Sequence, residues 1–166
     1  AVEIANKYEK GVYASVGLHP INIKTNSKFK IQNYNNEDIL EEEFDYEKYK
    51  KLAQNKKVVA VGEIGLDYYY KPKTKKRLEE FKNKQKGIFL KQIELAQELN
   101  LPIIFHCRMA HQEMIEFLKQ KTINQKQKIK GVIHCFTGNW EQAKEYLNMG
   151  FFLGFNGIIF KLNLDE

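Results

Sequence analysis
Short apolar runs alternate with helix-length amphipathic segments through most of this chain, and that alternation admits few architectures. VYASVGL (12–18), VVAVG (58–62), IIFH (103–106), GVIHC (131–135) and FFLGF (151–155) are rich in β-branched or aromatic residues and too short for helices. VVAV is apolar on both sides, as a parallel strand covered on both faces must be. Helical patterns lie between the runs. Residues 1–9 resemble the tail of a helix with Val2, Ala5 and Tyr8 on one side and Gly11 as its stop. Asp45 caps a short helix with Tyr49, Leu52 and Ala53 inward. The 3.6 period of Ile88, Phe89, Gln92, Ile93, Leu95, Ala96 and Leu99 predicts a long helix over 78–99, stopped by Asn100 and Pro102. Residues 110–121 place Ala110, Met114, Ile115 and Leu118 on one face. Asn139 with Gln142 three residues on reads as a capping box, opening a helix that buries Trp140, Ala143 and Leu147 and ends at Gly150. The polar stretch 22–44 reads as a surface loop.

Strands separated by helices make an α/β protein with a parallel sheet. An open doubly wound sheet and a closed (β/α)8 barrel both fit. No Gly-rich loop follows the first run, which disfavours an open sheet holding a dinucleotide. A full barrel takes about 250 residues, so this chain would supply about five of eight strands. It is read as a single domain over 1–166, with barrel strands missing at both ends. Such an array leaves two unpaired sheet edges. The 166-residue chain by itself is therefore expected to be poorly stable and inactive. A cooperative thermal transition together with enzymatic activity would overturn that expectation.

Composition narrows the setting. No apolar run approaches the roughly 20 residues of a membrane helix. The N-terminus is charged by its third residue, unlike a secretory signal. Cys107 and Cys135 are the only cysteines, which points to a reducing compartment, cytoplasmic or nuclear. Neither a membrane partner nor an oligomer is expected. The net charge is +6, almost all of it from Lys. The densest basic run, 71–86, suits either an acidic polymer or a solvated helix start. Arg77 and Arg108 are the only arginines, and Arg108 lies two residues beyond a histidine.

The ends of the runs carry the chemistry. The first four lead to His19, Glu63, His106 and His134, and catalytic groups of α/β sheets gather at the carboxyl ends of strands. Alternation sharpens the picture. If His106 faces inward, Ile104 does too, while Phe105 and Cys107 face the helices. If His134 faces inward, so does Val132, and Cys135 faces out. Glu63 facing inward would take Val61 and Val59 with it. The cysteines are then small apolar fillers, and a catalytic thiol would need the opposite facing. His111 falls on a helix and reads as structural or near the rim. A buried carboxylate beside two imidazoles is costly unless it is paired. A divalent cation removes that cost and lowers the pKa of a bound water. The alternative is a hydrogen-bonded core network. Gly62 and Gly65 permit close backbone approach around Glu63.

VGLHP, VGEIGLDYYY, PIIFHCR, GVIHCFTG and FFLGFNG together resemble the TatD family of metal-dependent deoxyribonucleases, with the ending GFNGIIFK most like its eukaryotic-type branch. The resemblance covers nearly the whole chain. It implies a (β/α)8 barrel of the TIM type, a DNA substrate, and phosphodiester hydrolysis, often as a 3′-to-5′ exonuclease, with one or two divalent ions (Mg²⁺, Mn²⁺ or Zn²⁺). It implies Glu63, His106 and His134 as catalytic metal ligands. Arg108 and His19 would contact substrate phosphate, and the bidentate fit of guanidinium to phosphate explains Arg108. The family's first-strand Asp-x-His-x-His motif would precede Ala1, and its late-strand Asp would follow Glu166. Two rivals stand beside this reading: an amidohydrolase on the same barrel, and a degenerate structural subunit of a larger assembly that has lost its metal.

Overall fold
The structure, a computed structural model, describes residues 1–24, 40–122 and 128–160. Five strands are present in them: β1 (Ala14–Val16), β2 (Val58–Asp67), β3 (Ile103–Arg108), β4 (Gly131–Ile133) and β5 (Phe152–Leu153). They form one sheet in sequence order, and every neighbouring pair is parallel. A doubly wound sheet reverses its strand order at a switch point, whereas a (β/α) barrel keeps adding strands in one direction. The unreversed order is that of a barrel arc. Among the described residues β1 and β5 each pair with one strand, so the arc is open.

The helices are α1 (Val2–Ala5), α2 (Tyr46–Ala53), α3 (Lys75–Glu98), α4 (His111–Thr122) and α5 (Trp140–Asn148), with 3-10 turns at Pro20–Asn22 and Gly157–Phe160. No described helix is long and apolar enough to cross a membrane. The main core lies between the sheet and α3, α4 and α5. There Phe89, Ile93, Ile64, Leu66, Phe105, Met114, Leu118 and Tyr146 are fully buried. Phe105 is edge-on to both Phe89 and Phe151, at ring-centre distances of 6.0 and 5.1 Å. A smaller cluster joins Ala5, Ala14, Val16, Tyr49, Ala53 and Val58.

Several expectations shift. The first helix is a single turn, and Tyr8 is exposed. Asp45 does cap α2 through the Lys48 N–H, with Tyr49 and Ala53 buried, but Leu52 is exposed. The capping box of Asn139 and Gln142 opens α5. Its inward face holds Ala143 and Tyr146, whereas Trp140 and Leu147 are exposed at 68% and 48%. Ala143 and Tyr146 are three apart and share a face centred one position away from the one expected. Of the polar stretch 22–44, residues 25–39 lie outside the described residues, and Ile23 and Glu42 form an isolated parallel bridge.

The largest difference is in β2, which does not stop before Glu63 but continues to Asp67. Its pairing with β3 is irregular between Gly62 and Ile64, so Glu63 is the extra residue there. That irregularity reverses the expected facing of Val61. Val61 aligns with Val16 and Ile103 and is buried in the same cluster as Ile64 and Leu66, while Val59 is exposed. Gly62 and Gly65 interrupt the apolar pattern because β3 comes too close for a side chain. A Cβ on Gly62 would lie 2.6 Å from Ile104 Cβ, and one on Gly65, where φ is +152°, would lie 1.9 Å from the His106 carbonyl oxygen. Gly65→Ala is expected to cost on the order of 3 kcal/mol, measured by urea unfolding.

Candidate metal centre
His19 follows β1 as the N-cap of the turn at Pro20–Asn22. Pro20 suits the first position of such a turn and holds the residue before it extended. The His19 ring closes the turn: its Nδ1 accepts a hydrogen bond from the Ile21 N–H at 3.1 Å. A neutral imidazole that accepts at Nδ1 carries its proton on Nε2. That Nε2 points at Nδ1 of His106, 3.1 Å away. Burial, then the charge of His106, lowers the His19 pKa to about 4, which keeps this ring neutral near pH 7.

His106 lies within β3, opposite Gly65 of β2. Its Nδ1 is 3.0 Å from Glu63 Oε1, and its Nε2 is 2.9 Å from Asp67 Oδ2. Burial works against a charge on His106, yet hydrogen bonds to Asp67 and Glu63 outweigh it and raise its pKa. Burial likewise pushes both carboxyls up. For each, the hydrogen bond and charge of His106 win, and the carboxyl is held below its ordinary range. Arg108, paired in register with Asp67, adds to this.

One donor atom each of His19, Glu63 and His106 lies within 4.8 Å of the others. His134 is not in that group. It sits one residue past β4, exposed to solvent, near enough to Glu63 to lower its pKa slightly. Arg108 stacks on Tyr69, with the guanidinium carbon 3.5 Å from the ring centre. Cys107 is buried on the helix side of β3, where the Tyr146 hydroxyl donates to its Sγ at 3.8 Å, and Cys135 is half-buried. His111 is buried in the core, 3.1 Å from the Tyr146 hydroxyl through Nδ1. Within the basic run, Lys82 and Lys86 both pair with Glu113 of α4, so part of its charge ties two helices together.

The donor set fits a divalent cation. A half-buried carboxylate oxygen and an imidazole nitrogen converge, and N and O ligands of this kind suit Zn²⁺ or Mn²⁺. His19 fits differently, because its capped Nδ1 makes its Nε2 a proton donor toward the same point. Asp67 was not singled out from the sequence, although the signal was present: beyond the irregularity, positions 63, 65 and 67 share one parity, so the carboxylates of GEIGLD face one way.

Known proteins support this picture. The family model described as TatD related DNase matches residues 1–166. A protein of Bacillus subtilis, named as the uncharacterized metal-dependent hydrolase YabD, is 36% identical over 95% of this chain and 51% of its own length. The 3′-5′ ssDNA/RNA exonuclease TatD of Klebsiella pneumoniae is 38% identical over 64% of this chain and 36% of its own. The crystal structure of a TatD family hydrolase from Entamoeba histolytica superposes with a TM-score of 0.63 at 27% identity, covering 93% of this chain and 46% of that one. The chain spans about half the length of the curated relatives it matches. With the barrel arc, the convergent donors and the full-length family match taken together, the chain belongs to the family of TatD related DNases.

Proposed function
We propose that the protein hydrolyses DNA phosphodiester bonds with the help of one or two divalent ions, releasing nucleotides from a 3′ end. The observation that carries this reading is the meeting of Glu63 and His106 beside a proton-bearing His19, with Arg108 at the same end of β3. Glu63, His106 and His134 would hold the metal, Mg²⁺, Mn²⁺ or Zn²⁺. When bound, it supplies Lewis-acid polarisation of the phosphoryl group and a water of lowered pKa. The His19 Nε2–H, which meets His106 Nδ1 in the structure, would donate instead to a non-bridging phosphate oxygen once the lone pair of His106 is engaged by the metal. Arg108, kept in place by its stack on Tyr69, pairs with phosphate oxygens through its fork of N–H groups. The exonuclease named among the relatives supports the substrate and the direction. In this reading the five strands are part of a closed barrel in a single hydrolase domain of the eukaryotic-type branch, acting as a monomer inside the cell.

The test is digestion of end-labelled single-stranded DNA by the purified protein with its barrel complete, with each metal and after chelation. Metal-dependent shortening from the 3′ end is expected. Metal binding without any cleavage of DNA would sink the nuclease reading and leave the amidohydrolase. Arg108→Ala is expected to lower kcat/KM roughly 10- to 100-fold, mostly through KM, as the loss of a charge-assisted phosphate contact should. An unchanged KM would remove Arg108 from phosphate binding.

A further inference from the structure
We infer that Asp67 is a positioning residue that keeps the proton of His106 on Nε2, so that Nδ1 offers its lone pair to the point shared with Glu63 and His19. The inference rests on the metal reading above. A neutral imidazole has a single N–H, and two carboxylates face the two nitrogens of His106 at 2.9 and 3.0 Å. They are not equivalent. The side chain of Asp67 is 4% exposed and that of Glu63 is 29% exposed. Water and a cation can both serve Glu63, whereas Asp67 depends on donors fixed in the fold.

Asp67 is also held at both its side chain and its backbone. Its Oδ1 accepts from the Tyr69 N–H at 3.0 Å. Its own N–H donates to Gln85 Oε1 at 2.9 Å, and the Gln85 amide donates back to the Asp67 carbonyl at 3.0 Å. Gln85 is itself buried on α3. The carboxylate therefore stays in place as an acceptor for Nε2–H. A carboxylate that accepts from the far nitrogen of a metal-binding histidine selects its tautomer and strengthens its basicity.

Two measurements on the purified protein test this. Nitrogen-15 NMR of the histidine rings, taken where imidazoles are neutral, should find His106 as the Nε2–H tautomer in the wild type. In Asp67→Asn, whose amide can donate as well as accept, the preference should be lost. Calorimetric titration with Zn²⁺ should show affinity about 10- to 100-fold weaker in Asp67→Asn, with circular dichroism unchanged. A purely structural role would leave the tautomer of the folded variant as it was. An Nδ1–H tautomer in the wild type, or equal Zn²⁺ affinity in the two proteins, would overturn the inference. Failure of the wild type to bind Zn²⁺, Mn²⁺ or Mg²⁺ would overturn the metal reading instead. The tautomer of His106, compared between the wild type and Asp67→Asn, would then still decide the role of Asp67.

Discussion

Glu63→Gln is expected to reduce DNA hydrolysis by on the order of 1,000-fold while changing the affinity for DNA by less than about threefold. The substitution keeps the shape of the side chain, so the backbone irregularity around it survives. It removes a negative charge that His106 holds ionised, despite a half-buried position that favours the neutral acid. A neutral amide is a poor ligand for a hard cation, and the loss falls on the chemical step. DNA affinity is expected to persist because the proposed function assigns the phosphate contacts to Arg108 and His19. Single-turnover cleavage measured beside a fluorescence-anisotropy titration separates the two effects. Wild-type turnover in the variant would refute the role of Glu63, and a parallel collapse of binding would show that it holds substrate rather than the reaction centre.

Acid should destabilise the protein through His111. This ring opens α4, is 1% exposed, and packs edge-on to Phe136 at 5.2 Å. Burial, with a smaller contribution from the charge of His106, lowers its pKa from 6.5 to about 4. The native state keeps the ring neutral while the unfolded chain protonates it near 6.5. The stabilisation is thus fully present above 6.5 and fades as the pH falls through about 4, at which point about 3 kcal/mol has been lost. His111→Gln keeps a polar side chain beside the Tyr146 hydroxyl but cannot take up a proton. Urea unfolding near pH 7 and near pH 4.5 should show a wild-type loss that exceeds the variant's by about 2 kcal/mol or more. Parallel pH curves would mean that His111 takes up its proton as readily in the native state as in the unfolded chain, and would refute the shift.

The sequence revealed the architecture better than the site. Strand–helix alternation was legible because strands such as 58–62 must be apolar on both sides, and α3 because Phe89, Gln92, Ile93 and Ala96 all turn inward. The convergence of Glu63 and His106 was legible for the same reason, since both follow strongly apolar runs. Asp67 was hidden by the two glycines of β2, which look like strand breakers and are instead demanded by the closeness of β3. The facing of Val61 was hidden by the extra residue at Glu63, which no alternation rule anticipates. That the histidine after β4 lies exposed, outside the group formed by His19, Glu63 and His106, depends on a three-residue strand ending at Ile133. The inward turn of Tyr146 in place of Leu147 reflects a small rotation of α5, finer than hydrophobic periodicity resolves.

One helix grips two strand ends at once. Gln92 of α3 binds the backbone of Leu18, just before His19, through both halves of its amide, at 2.7 and 3.1 Å. Gln85 grips Asp67 in the same manner. The two glutamines are seven residues apart, two helical turns, which sets them on one face about 10 Å from each other. An inserted or deleted residue between them would swing one amide about 100° away from its strand. The interval 85–92 therefore works as a measured spacer. Its length is fixed by the distance between the two strand ends it binds, at Leu18 and Asp67, and lineages that drift freely in the residues facing solvent there should still keep their number.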